Sequence, residues 1–308
     1  MLSKTAEIDT NFKKHIVFTE SARSGWRLIL ESLPADATAL LPSYIGVTDR
    51  EGSGIYDPVV QVGLDHEFYQ LNDDLSVSIK EIENQLSSRK YDLILLVHYF
   101  GFKIQNIGSI VKLCQENGII VVEDCAHLYN YNINHLSDAG TYGDFVFYSL
   151  HKNFPFESGG LLVQNNLNLK RLQRSKLKYN FNERLIEFEI HNIAQKRINN
   201  FTYLDKLLSE IDGVSPLRKL EQGDVPHTYP IIIQNNLREK LYFLLIKLDI
   251  PVVALYYRLI APLKLDKFEQ MQYISNNILN LPIHQDVDKE DLLFLVKSIK
   301  EALIELKK

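Results

Sequence analysis

The sequence predicts an α/β fold, with a mostly parallel central sheet flanked by helices and a smaller α/β unit toward the C-terminus. Three observations predict it. Between Tyr91 and Glu123 an apolar run, an amphipathic stretch and a second apolar run follow one another. Two more short apolar runs then bracket a loop that carries Lys152. Beyond Asn166 the texture changes to longer, more polar helical patterns.

In chain order, residues 24–33 (SGWRLILESL) have helical spacing, and residues 37–41 (ATALL), ended by Pro42, read as a short buried strand followed by loop. The run DLILLV after Tyr91 is a second strand. Residues 106–117 (NIGSIVKLCQEN) form an amphipathic helix closed by Asn117-Gly118, and IIVVE is a third strand. Strand, helix and strand make a βαβ unit. Such units belong to parallel sheets whose ligands collect beyond the carboxyl ends of the strands, and Asp124 stands at such an end. Residues 145–148 and 161–163 are two further short strands, which places Lys152 on a connection, where functional residues concentrate. Residues 167–209 read as helical. HTYPIII at 227–233 is strand-like, and the last helix is N-capped by Asp288, with Leu292, Leu295, Val296, Ile299 and Leu303 on one face. The predicted division is 1–166 for the larger domain and 167–308 for the linking helices and smaller domain.

Composition narrows the function classes. The 308 residues are 45% apolar and 24% charged with a net charge of −5, which gives no electrostatic reason to expect a nucleic-acid partner. Cys114 and Cys125 are the only cysteines, and neither a CxxC pair nor a histidine cluster occurs, so no disulfide framework and no metal site is expected. The start of the chain lacks the apolar core of a signal peptide, and no run of about 18 apolar residues occurs. A cytoplasmic protein with no membrane partner is the expectation.

The chemistry sits in VVEDCAH (121–127), GDFVFYSLHK (143–152) and the pair Gly159-Gly160. Pyridoxal 5'-phosphate needs a lysine amine to hold it as a Schiff base and a carboxylate to keep its pyridine nitrogen protonated. Lys152 and Asp124 can fill those roles. Singly, each has an ordinary alternative, a surface lysine and a carboxylate capping a turn; together with the diglycine they form a set.

These motifs, with LLPSY (40–44), LLVHYFGF (95–102), SGGLLV (158–163) and NNILNLPIHQDVDKED (276–291), resemble the DegT-type sugar aminotransferases of fold type I, in matching order and approximate spacing. The resemblance implies a pyridoxal-phosphate enzyme that moves an amino group from an amino acid, glutamate in the family, to a keto-sugar, commonly nucleotide-linked, for surface polysaccharide or natural-product synthesis. Lys152, rather than neighbouring His151, is the implied Schiff-base lysine, and Asp124 the partner of the pyridine nitrogen. His127, in place of a more usual glutamine, is implied against the ring or its phenolic oxygen; its alternative is a buried histidine satisfied by backbone. Ser149 matches the serine that donates to the phosphate. SARSG (21–25) offers Ala22, Arg23 and Ser24 as a backbone phosphate cradle at a helix N-terminus, with Ala22 where the family usually has glycine. Asn180 is the nearest match to an asparagine that reaches the phosphate from a second copy, so a homodimer with shared active sites is implied.

Three departures accompany the resemblance. The family is longer at the amino end, the interval from the diglycine to Asn180 is shorter than its norm, and Gly46 stands where an aromatic residue commonly stacks on the cofactor. Tyr44 is the nearest substitute. Two other outcomes therefore stay open: a degenerate aminotransferase fold acting as a binding or regulatory protein, and another pyridoxal reaction such as dehydration, in which relatives replace the lysine with histidine.

Overall fold

The computed structural model describes residues 15–128, 137–173 and 188–307. Its main sheet has seven strands: β1 (His15–Thr19), β2 (Thr38–Pro42), β3 (Asp65–Tyr69), β4 (Leu93–Val97), β5 (Ile120–Asp124), β6 (Phe145–Ser149) and β7 (Gly160–Gln164). The spatial order is β1-β7-β6-β5-β4-β2-β3. From β3 to β6 every pairing is parallel, and only β7 runs against its neighbours. Strands buried on both faces read as unbroken apolar runs, and β4 (LILLV) is buried at every position.

Helices α1 (Ala22–Leu30), α2 (Tyr56–Val62), α3 (Ile79–Ser88) and α4 (Ile107–Glu116) connect the strands, and α5 (Leu150–Asn153) is a single turn between β6 and β7. A second, antiparallel sheet of β8 (Val214–Pro216), β9 (Tyr229–Ile233) and β10 (Ile278–Leu281) has β9 in its centre. It is accompanied by α6 (Ile190–Leu208), α7 (Arg238–Lys247), α8 (Glu269–Asn277) and α9 (Lys289–Leu306). One apolar core runs through both sheets, from Trp26, Leu40 and Leu95 to Ile231, Leu279 and Leu295.

The predicted βαβ unit is β4, α4 and β5, and Asp124 is the last residue of β5. Asp288 caps α9 through a capping box with Asp291. Other expectations change. Helix α1 begins at Ala22 rather than Ser24, because the Ser21 hydroxyl accepts the Ser24 N–H at 3.1 Å and fixes the start. The stretch after Pro42, expected to be loop, contains α2, β3 and α3; β3 (DHEFY) is a half-buried edge strand whose polar residues mask it. Lys152 lies within α5, not on an irregular connection. Of the helical tract expected over 167–209, the described part is helical only from Ile190, since the Gln164 side chain ties the carbonyls of Asn166 and Leu169 into a non-helical turn. Strand β1, which the apolar pattern did not single out, pairs antiparallel with β7.

Candidate active site

A cavity of about 980 Å³ opens beyond the carboxyl ends of β5 and β6, within the range of small-molecule sites. Asp124, His127, Ser149 and Lys152 lie on its wall, although β5 and β6 are separated by a stretch of chain, because parallel neighbours end on the same side. Asp124 is 5% exposed. Its Oδ1 accepts the Ala126 N–H at 2.8 Å. Burial raises the Asp124 carboxyl above its ordinary value, opposed by the Ala126 N–H and by the charges of Lys152 and His98. One residue back, the Glu123 carboxylate accepts from the Gly140, Tyr142 and Gly143 N–H groups and pairs with His98 at 2.9 Å, clamping the end of β5.

The α5 turn brings Lys152 Nζ to 2.9 Å from His127 Nε2. Burial pushes the amine below the usual lysine range, while the negative charges of Asp124 and Glu51 oppose that shift. His127 Nδ1 accepts the Phe100 N–H at 3.2 Å, and the ring is stacked between Phe100 (interplanar angle 11°) and His227 (3°). Burial holds the His127 imidazole well below the ordinary histidine range, and the nearby Lys152 and His227 act in the same direction.

Helix α1 presents its N-terminus to the same cavity. The first N–H groups of a helix have no intrahelical partner; Ser21 claims that of Ser24, leaving those of Ala22 and Arg23, both on the cavity wall, for an anion. Ser24 itself is turned to Ser21, Oγ to Oγ at 3.0 Å. The diglycine explains how this terminus comes so close to β7. Gly159 adopts a left-handed φ of 130°, and a Cβ on Gly160 would lie 2.4 Å from the Ser21 carbonyl. Ser149, 1% exposed, stands at the end of β6 with its hydroxyl 3.3 Å from His151 Nδ1.

Tyr44 is placed elsewhere. It is fully buried, its ring packs against Tyr99, and it does not contribute to the cavity wall. The space beside Gly46 is taken instead by Tyr256, from the chain between α7 and α8. A Cβ on Gly46 would fall 2.3 Å from Tyr256 Cδ1 and 2.9 Å from its Cα. Tyr256 has a φ of 59°, a costly conformation for an aromatic residue, and its carbonyl is held by the Ser275 hydroxyl at 2.6 Å. Its ring lies 6.0 Å from those of His127 and Phe100. Sequence reading missed Tyr256, Glu51 and Arg238, all on the cavity wall; the Tyr256-Tyr257 pair after an apolar tract was the one local signal. Asn180 lies outside the described residues.

Residues 45–181 match the sequence model of the DegT/DnrJ/EryC1/StrS aminotransferase family. The match spans a little under half of the chain, and over that stretch the chain is similar to that family. The family's members are sugar aminotransferases that depend on pyridoxal phosphate. A curated relative, the GDP-perosamine synthase of Vibrio cholerae, is 30% identical over 111 residues, spanning 35% of this chain and 29% of its own length. Among solved structures, the aminotransferase TlmJ from Streptoalloteichus hindustanus superposes with a TM-score of 0.74 at 19% identity, covering 95% of this chain and 87% of its own. Helicobacter pylori PseC, an aminotransferase involved in the biosynthesis of pseudoaminic acid, gives 0.73 at 16% identity, covering 94% and 87%. At these identities the superpositions establish the shared fold. Among the described residues no helix is long and apolar enough to cross a membrane.

Proposed function

We propose that this chain is a pyridoxal-phosphate-dependent aminotransferase that takes an amino group from an amino acid, glutamate as the working donor, and delivers it to a keto-sugar carried on a nucleotide. The observation that carries the reading is the meeting of a half-buried lysine, Lys152, and a buried carboxylate, Asp124, on one cavity at the ends of adjacent parallel strands. A scaffold without catalysis has no physical need to draw two ionisable groups away from water, since desolvating such groups costs stability. The same observation favours a lysine-based reaction over the histidine-based dehydration, because His151 is the more exposed neighbour and Lys152 is the one whose amine interacts with the Asp124 charge.

The residues fit the cofactor. The Ala22 and Arg23 N–H groups and the Ser149 hydroxyl would hold its phosphate, Asp124 its pyridine nitrogen, and Lys152 its aldehyde carbon. When bound, the cofactor supplies an electron sink for the substrate carbon that loses its proton. Lys152, once released by the incoming amine, is the general base and then the general acid at that carbon, aided by the depressed basicity that burial gives its Nζ. Asp124, poorly solvated, stabilises a cation placed against it more than a solvated carboxylate does. His127 orients Lys152 Nζ, and Tyr256 closes the cavity from the side of Gly46 and excludes water there. A second copy of the chain completing the site through Asn180, in a cytoplasmic homodimer, belongs to the same proposal.

The test is the visible absorbance of the purified protein with added pyridoxal phosphate, before and after glutamate, beside Lys152→Ala. A band that needs Lys152 and is bleached by glutamate is the expected result. No lysine-dependent band would overturn the assignment in favour of a cofactor-free scaffold.

A further inference from the structure

The His98–Phe102 turn contains Phe100 at a φ of 54°, a left-handed conformation that a bulky residue adopts only under constraint. Both of its backbone polar groups are used on the site. The N–H donates to His127 Nδ1 at 3.2 Å, and the carbonyl accepts the His227 N–H at 2.8 Å. The turn cannot relax away from this arrangement, because Gly101 lies against the 225–227 backbone so closely that a Cβ there would fall 2.2 Å from the Val225 carbonyl oxygen.

A backbone N–H can only donate, so His127 Nδ1 must accept. A neutral imidazole that accepts at Nδ1 carries its proton on Nε2, and that nitrogen is 2.9 Å from Lys152 Nζ. An N–H donor cannot bond an ammonium, which has three donors and no acceptor. The bond forms only when Nζ offers a lone pair. We propose that His127 is a positioning residue which, with its tautomer locked by the Phe100 N–H, holds Lys152 as a free, nucleophilic amine. The lock is a property of this chain's own residues and needs no ligand, though its use rests on the aminotransferase reading.

The surroundings agree. Lys152 is faced by Asp124 from β5 and by Glu51 from the loop after β2, both of which favour the ammonium. Opposing them is burial, with the His127 imidazole held neutral beside Nζ; the imidazoles of His151 and His227 also lie below the ordinary histidine range, and Arg197 and His284 stand near His227. His127 cannot gain a second proton to switch roles while Nδ1 is occupied by the Phe100 N–H, and stacking between Phe100 and His227 fixes the ring plane.

Glutamine at this position separates the proposal from simple burial. A carboxamide can turn its oxygen to an ammonium, which the locked imidazole cannot do. Competitive trace labelling with acetic anhydride reads the free-amine fraction without any cofactor. In the labelled reaction the Nζ lone pair forms a C–N bond to the acyl carbon, acetate leaves, and the amine proton passes to solvent. Mass spectrometry of the peptide containing Lys152 follows the yield from about pH 6 to about pH 11, spanning the ordinary lysine midpoint. The native chain is expected to label Lys152 with a midpoint below that of the exposed lysines. His127→Gln is expected to move the midpoint upward and reduce labelling at neutral pH by about tenfold, which is one unit of midpoint shift. Equal midpoints in native and variant protein would overturn the proposal. Nitrogen NMR of the histidine rings in the native chain provides a second reading that needs no variant: His127 protonated at Nε2, and still neutral at a pH where an ordinary imidazole is protonated, supports the lock, and Nδ1–H overturns it. If labelling and tautomer behave as stated while no lysine-dependent cofactor band forms, it is the aminotransferase reading that fails.

Discussion

Gly160→Ala tests whether the diglycine exists to seat the N-terminus of α1. The added Cβ would lie 2.4 Å from both the carbonyl carbon and oxygen of Ser21 and 2.5 Å from Thr19 Oγ1. Ordinary contact begins at 3.4 Å, so 3.4 − 2.4 requires a separation of about 1 Å. Strand β7 cannot provide it, because Gly160 is paired with Thr19 on one side and Ser149 on the other. Ser21 must move, and its carbonyl is the acceptor for Gly25 N–H (3.1 Å) and Thr19 Oγ1 (2.7 Å). Overpacking costs about 1–3 kcal/mol and loss of the serine cap about 1 kcal/mol, giving roughly 2–4 kcal/mol in all. At a urea slope of about 3 kcal/mol per M the midpoint falls by roughly 1 M. The same displacement misaims the Ala22 and Arg23 N–H groups. Loss of one charge-assisted hydrogen bond, about 1.5–3 kcal/mol, weakens pyridoxal phosphate binding roughly ten- to hundredfold. Urea unfolding of the apo protein and spectroscopic titration with the cofactor measure the two effects separately. A variant with native midpoint and native affinity would falsify the close approach. A lower midpoint with unchanged affinity would refute the cradle alone.

Further outcomes follow from the same geometry. Asp124→Asn keeps an acceptor for the Ala126 N–H but removes the charge, and should lower turnover by at least about a hundredfold. Because burial raises the Asp124 carboxyl, its contribution to stability is full below the ordinary carboxylate range and is lost as pH rises through the raised value. The apo variant should therefore unfold at higher urea than the native chain at neutral pH, the difference closing below about pH 4; a variant destabilised at neutral pH contradicts this. Tyr256→Ala should open the cavity beside Gly46 and weaken cofactor affinity, whereas Gly46→Ala should reproduce that loss by displacing an intact Tyr256. Cofactor titration of both, with unchanged affinity in either, would remove Tyr256 from the site. Trp26→Ala, in a fully buried position where the indole N–H donates to the Ile55 carbonyl at 2.9 Å, should cost about 3–5 kcal/mol by urea unfolding.

What the sequence made legible was local. The set Asp124, His127, Ser149 and Lys152 falls within one short stretch, and parallel strands convert that nearness into a common edge of the sheet. Apolar runs announced β4 and β5 because burial on both faces leaves no polar residue to interrupt them. Edge strand β3 and the one-turn α5 carried no such pattern: an edge strand is half solvated, and four residues are too few to show a helical period. The aminotransferase motifs compensated for this around Lys152, but they also directed attention to Tyr44, the tyrosine nearest Gly46 in sequence.

Tyr256 shows why the remainder was out of reach. Its place depends on a missing side chain at Gly46, on a left-handed backbone that nothing in LYYRL announces, and on a carbonyl tethered to Ser275. Each of these is a relation between segments distant in the chain. Phe100 is the same case at shorter range: Gly101 marks the turn, yet the strained residue is the phenylalanine before it, because Gly101 is needed where the Val225 carbonyl approaches. At both positions the cost of a left-handed aromatic residue is met by packing and hydrogen bonds contributed by another part of the fold. Strain maintained in that way is sensitive to the whole structure, so substitutions that loosen Ser275 on α8 or the 225–227 backbone before β9 should reach Lys152 without touching it.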